Sequence, residues 1–105
     1  MLSQDSERSM SQAATKTHEK EAVTYLKAYP IKSADEVPKV KEDLRNGTII
    51  ILRITPLANK SIEELKQAVE ELYAFATGIG GDIARLGEER IVITPPKVKI
   101  WRALG

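Results

Sequence analysis

Few side chains in this sequence could carry covalent or proton-transfer chemistry, and their surroundings limit each of them. The single histidine, His18, lies among Ser, Gln, Thr and charged residues, so no histidine metal site can be assembled and acid–base catalysis near neutral pH has little to work with. There is no cysteine, which removes thiolate nucleophiles, thiolate metal ligands and disulfides together and fits a reducing cytoplasm. Carboxylates are plentiful, but Glu63, Glu64, Glu70 and Glu71 fall on a helical pattern and Glu88 and Glu89 in a turn, where solvation explains them. Asp82 stands apart beside glycines at the start of a strand pattern, a position suited to capping backbone amides rather than to acid catalysis. Gly78-Ile79-Gly80-Gly81 could bring backbone amides close to an anion, yet phosphate-binding glycines open a helix, whereas these close one and feed a strand, and no Lys-Ser or Lys-Thr pair follows. Their simpler use is a helix C-cap with positive φ, or a close backbone approach. Trp101 beside Lys97, Lys99 and Arg102 offers a small base-stacking platform, but one aromatic at an edge is commoner as a packing residue. The expectation is a protein with no catalytic residue, no metal and no cofactor, which does not bind nucleic acid and is not an enzyme.

The elements that hold these residues follow from the patterning. A chain of 105 residues supports one domain with one small core, and 30% charged residues against 42% hydrophobic ones imply that part of it adds little to that core. Residues 1–22 fit this description: up to Glu21, Met1, Leu2, Met10, Ala13 and Ala14 are too few apolar groups to offset ordering entropy, so a disordered tail is expected over 1–22 and a domain over 23–103. Lys and Arg exceed Asp and Glu by one, which gives no single-sign field to recruit nucleic acid or anionic lipid. No apolar run nears the roughly 18 residues of a membrane span and no signal-peptide core follows Met1, so a soluble or peripheral protein is expected.

Val23–Tyr29 is β-branched and aromatic and reads as a first strand, halted by Pro30. Ser33 to Glu36 has capping-box spacing, with Asp35 as an alternative cap because of Pro38, and Val37, Val40 and Leu44 form the apolar stripe of a first helix ending at Asn46-Gly47. Thr48–Leu57 is apolar except for Arg53, as expected of a central strand covered on both faces. Ser61 to Glu64 is a clean capping box, and Ile62, Leu65, Val69, Leu72, Tyr73 and Ala76 recur at helical spacing as the core face of a second helix. Residues 81–86 and 90–94 then form an antiparallel hairpin around Gly87-Glu88-Glu89, and the alternation in Lys97–Arg102 predicts a fifth, edge strand. The fold class expected is α/β, a five-stranded mixed sheet with two helices on one face. Its bare second face is most simply covered by another copy of the chain, giving a symmetric dimer.

The hairpin carries a resemblance. Gly80-Gly81-Asp82-Ile83, Arg85 and Gly87, followed by the Ile91-Val92-Ile93-Thr94-Pro95 strand, resemble the "GGDI-x-R-x-G" pattern and the strand ending in Thr-Pro or Ser-Pro of the SepF family, here of the archaeal type, over roughly Tyr25 to Val98. The resemblance implies a homodimeric cell-division adaptor, with higher oligomers possible, that binds the C-terminal tail of FtsZ and helps tether the division ring at the cytoplasmic, inner face of the membrane. It implies partner binding through Arg85, Ile91 and Ile93, with Ile91 standing where family members often have Phe, and self-association through Gly80 and Gly81. The family's usual N-terminal amphipathic helix has no counterpart in residues 1–22, so weak membrane binding by that tail is expected. The alternative is a small ferredoxin-like ligand-binding or nucleic-acid-binding domain.

Overall fold

A computed structural model describes residues 23–102; the expected tail, and the expected last domain residue Ala103, lie outside the described residues. The elements are β1 (Leu26–Pro30), a 3-10 turn (Ala34–Glu36), α1 (Val37–Arg45), β2 (Ile49–Arg53), α2 (Thr55–Lys60), α3 (Ile62–Gly78), β3 (Asp82–Leu86) and β4 (Arg90–Thr94). They build one mixed sheet of order β1-β2-β4-β3, with β1 and β2 parallel and the other pairs antiparallel.

Register explains which residues are buried. Ile50 pairs with Ile93 and Leu52 with Ile91, so four branched side chains from the two central strands project from one face. Val37, Val40 and Leu44 of α1, Leu57 of α2 and Ala68, Leu72 and Ala76 of α3 close over them as a single core. Leu44, Leu57 and Leu72 are fully enclosed; truncating any of them to Ala costs roughly 2–5 kcal/mol. Ser61 starts α3 as expected, its hydroxyl accepting the Glu64 amide at 3.1 Å. The Glu64 carboxylate, however, accepts from the Ala34 amide at 2.8 Å, which fastens α3 to the turn before α1.

Several expectations are corrected. The sheet has four strands, because residues 97–102 are held by a turn and by side chains rather than by a ladder: Lys97 adopts φ +72°, its amide reaches the Gly80 carbonyl, and the Ile100 amide reaches the Asp82 carboxylate. The run Thr48–Leu57 is not one strand. Pro56, which lacks an N–H but fits the first turn of a helix, helps start α2 there, a third helix that the apolar run concealed. Among the described residues strand β2 is covered on one face only; on the other, Ala28, Ile51, Val92 and Ala84 form a row that is part-covered or exposed, flanked by exposed Leu26 and Leu86. Strand β1 starts at Leu26 and includes Pro30. Ser33, not Asp35, caps the turn before α1, and Pro38 is accommodated in the first turn of that helix. Ile62 and Tyr73, expected in the core, are more than half exposed.

Candidate functional site

The site begins at the joint between α3 and β3. Gly80 has φ +86°, its amide bonds to the Thr77 carbonyl and the Gly81 amide to the Ala76 carbonyl, which together close the helix in a Schellman arrangement. Gly81 serves another purpose: a Cβ there would overlap the Thr94 carbonyl oxygen and come within 3.1 Å of the Pro95 oxygen. Positive φ and close approach, the two uses expected of these glycines, are thus divided between them. Next in the chain, Asp82 accepts from the amides of Ile83 (2.9 Å) and Ile100 (3.0 Å) and pairs with Arg102 (3.1 Å). The Arg102 guanidinium first, then the Ile100 amide, hold its carboxyl well below the usual carboxylate range. Asp82 is therefore a backbone clasp, as its position suggested. Lys99 reinforces the clasp by donating to the Gly81 carbonyl at 3.2 Å, and the Thr94 hydroxyl donates to the Val98 carbonyl at 2.6 Å. Trp101, on this clasped segment, is not a packing residue: 93% of it is exposed.

Beyond the joint, Arg85 and Ile91 are register partners on the helix-facing side of the hairpin. Both line an open groove of about 380 Å³ with Ile54, Leu65, Lys66, Val69 and Glu70, and a neighbouring hollow of about 280 Å³ with Val69, Tyr73, Ile83 and Ala84. The floor and walls are apolar, and Lys66, Glu70 and Arg85 supply the charge. Arg85 is exposed yet oriented, because its guanidinium donates to the Gly87 (3.2 Å) and Glu88 (3.1 Å) carbonyls of the turn. Ile91 is 3% exposed and belongs at once to the core and to the groove floor. Ile93, grouped with them from the sequence, is fully enclosed in the core and lines neither hollow. Leu65, Val69 and Tyr73 were missed as groove residues. Their signal was present: they form a second i, i+4, i+8 row beside the core row Ala68, Leu72 and Ala76, giving α3 a stripe wider than one core contact uses.

A second polar cluster had no sequence signal. Asp43, 6% exposed, accepts from Lys27 (3.0 Å) and Tyr29 (2.8 Å) and lies 3.5 Å from Lys39, tying α1 to β1. Burial raises its carboxyl, but the hydrogen bonds from Lys27 and Tyr29 and the charge of Lys39 outweigh this and leave it below its usual value. Burial first, and then the bond to Asp43, push the Tyr29 phenol upward. The cluster joins elements and borders no part of the groove between α3 and the hairpin. Among the described residues no cluster of side chains could hold a metal ion, and no helix is long and apolar enough to cross a membrane.

A profile of the family described as Cell division protein SepF matches residues 27–100, from β1 through the hairpin to the clasped segment. The chain belongs to the SepF family. Among solved structures, the SepF-like protein from Archaeoglobus fulgidus is similar at 27% identity and a TM-score of 0.69, over 74% of this chain and 93% of that one. The SepF-like protein from Pyrococcus furiosus is 33% identical, with a TM-score of 0.68 over 75% and 95% of the two chains. The cell division protein SepF from Methanobrevibacter smithii, solved in complex with FtsZ-CTD, shares the SepF fold at a TM-score of 0.64 and 21% identity, over 76% and 98%. No curated protein matches the sequence.

Proposed function

We propose that this SepF-family chain is a non-enzymatic cell-division adaptor that holds the C-terminal tail of FtsZ in the groove between α3 and the β3–β4 hairpin, and so helps attach the division ring to the inner face of the membrane. The observation that carries the reading is that Arg85 and Ile91, the positions the family resemblance singles out for tail binding, are cross-strand partners on one groove. A filament tail is a short peptide with a few apolar anchors and some charge, and its receptor needs an apolar trough with a positioned cation. Leu65, Val69, Ile54 and Ile91 form such a trough, and the turn carbonyls orient the Arg85 cation. The complex of the Methanobrevibacter smithii relative with FtsZ-CTD supports the choice of partner.

The test is titration of a labelled FtsZ tail peptide into the parent, Arg85→Glu and Ile91→Ala, with thermal melts alongside. Arg85→Glu is expected to weaken binding by roughly 1–3 kcal/mol while the melt stays close to the parent's, since the residue is exposed. Ile91→Ala is expected to lower both binding and stability, because Ile91 is buried. Equal affinity of Arg85→Glu and the parent would remove the groove from the reading.

The same reading includes a homodimer, able to extend to higher oligomers, in which a second copy covers the sheet face bearing Ala28, Ile51, Val92 and Ala84. The exposed Leu26 and Leu86 on that face support it. Gly80 and Gly81 affect self-association through the clasped edge that they shape.

A further inference from the structure

Among the described residues the outer edge of β3 has one open position, and it lies on the groove. The Ile54 amide bonds to the Glu89 carbonyl at 2.8 Å, which sets the phase of the β2–β4 ladder. Antiparallel pairs alternate between bonded and non-bonded. In this register Ile91 and Ile93 therefore direct their main-chain groups to β2, while Arg90, Val92 and Thr94 direct theirs to Leu86, Ala84 and Asp82 of β3. The N–H and C=O groups of Ile83 and Arg85 consequently point outward, away from the sheet.

The side chains agree with this phase. The Ile83 amide is taken by the Asp82 carboxylate at 2.9 Å and the Ile83 carbonyl by Arg102 at 2.9 Å, while Lys99 takes the carbonyl of Gly81. The segment after Pro96 thus caps the edge step by step, at Gly81 and at Ile83. Two residues further on, the N–H and C=O of Arg85 have no hydrogen-bond partner among the described residues. Ala84, whose side chain lies in the opposite-face row with Val92, nevertheless borders the hollow formed by Val69, Tyr73, Ile83, Arg85 and Ile91, so that hollow reaches the β3 backbone.

We propose that the partner tail binds partly as an added strand, exchanging main-chain hydrogen bonds with Arg85 at the outer edge of β3 while its apolar side chains enter the groove beneath. This rests on the tail-binding reading and specifies its mode. Strand addition draws affinity from main-chain bonds and specificity from pockets for alternate side chains, and edge and groove lie together here. Charge complementarity favours a segment bearing carboxylates, since Lys66 and Arg85 outnumber Glu70 at the rim. Because Asp82 and Arg102 already cap Ile83, only one outward pair is available among the described residues, so the added segment is short and the edge is closed to extended pairing.

Hydrogen exchange of the isotope-labelled full chain, followed residue by residue with and without a saturating FtsZ tail peptide, tests the mode. The Arg85 amide is expected to exchange freely in the unbound protein and at least about tenfold more slowly when bound, with Ile83 nearly unchanged. In parallel, an ester scan of the peptide, replacing one amide at a time, is expected to show one position at which affinity drops about tenfold. Binding with a fast Arg85 amide, or with no sensitive ester, overturns strand addition and leaves the groove standing. Arg85 protection without peptide assigns the edge to the chain itself, and protection that grows with protein concentration assigns it to a second copy; either overturns the proposal. Failure of the tail peptide to bind at all overturns the tail-binding reading and this mode with it.

Discussion

Gly80 and Gly81 are adjacent and of one type, yet they answer to different physics, and their substitutions separate accordingly. At Gly80 the space is open and the demand is only a left-handed φ, which Asn tolerates. Gly80→Asn is expected to cost about 1 kcal/mol in chemical denaturation. At Gly81 the added carbon meets backbone, which cannot rotate aside, so Gly81→Ala is expected to cost more than about 2 kcal/mol. A Gly81→Ala protein as stable as the parent would show that the β3 start can shift away from Thr94. Sedimentation of the folded Gly80→Asn protein then reports on self-association with a smaller loss of stability than at Gly81.

At the scale of elements, the clasp between β3 and the segment after Pro96 makes a pH prediction. The folded-state carboxyl of Asp82 is held below its ordinary value of 3.8, so its contribution is complete above that pH and is lost as pH falls toward the lower, folded value. The melting temperature of the parent should drop below about pH 4, and Asp82→Asn should flatten that drop, with Asp43 supplying a remaining slope. Parallel melting curves for parent and Asp82→Asn from pH 7 to pH 2 would count against the clasp as a stabilising contact. The clasp also shows where sequence patterning stops being informative. The alternation in Lys97–Arg102 is real, but a strand needs a partner ladder, and here the Asp82 side chain takes the Ile100 amide instead. The capping box at Ser61 and the Gly80–Gly81 joint were legible because they depend on neighbours in the chain. The short helix α2 was not, since Thr55-Pro56-Leu57 continues an apolar run and the helix-starting role of Pro56 was hidden within it. The groove was half legible: Arg85 and Ile91 came from the family resemblance that the hairpin carries, whereas Leu65, Val69 and Tyr73 were absorbed into a core stripe whose outer row is only part-covered.

At the largest scale, the sheet is a two-sided object of which the described residues cover one side. If a second copy covers the other, a charge at its centre should separate the copies without unfolding either. Val92→Asp, between Ile51 and Ala84, is expected to sediment as a monomer under conditions where the parent is a dimer, with a folded far-UV spectrum retained. A parent that remains monomeric at its highest soluble concentration would leave that face for another partner. Helix α3 stands between core and groove, and its inner row is Ala68, Leu72 and Ala76, all buried in the core, with a small residue on either side of the leucine. Their size sets how closely the helix lies on the strands, and the outer row of Leu65, Val69 and Tyr73 rides on the same rigid body. The width of the groove is therefore adjusted from inside. A methyl group added to the inner row forces the packed helix and strands to shift, so on the proposed reading partner preference can drift through substitutions at buried positions beneath the groove.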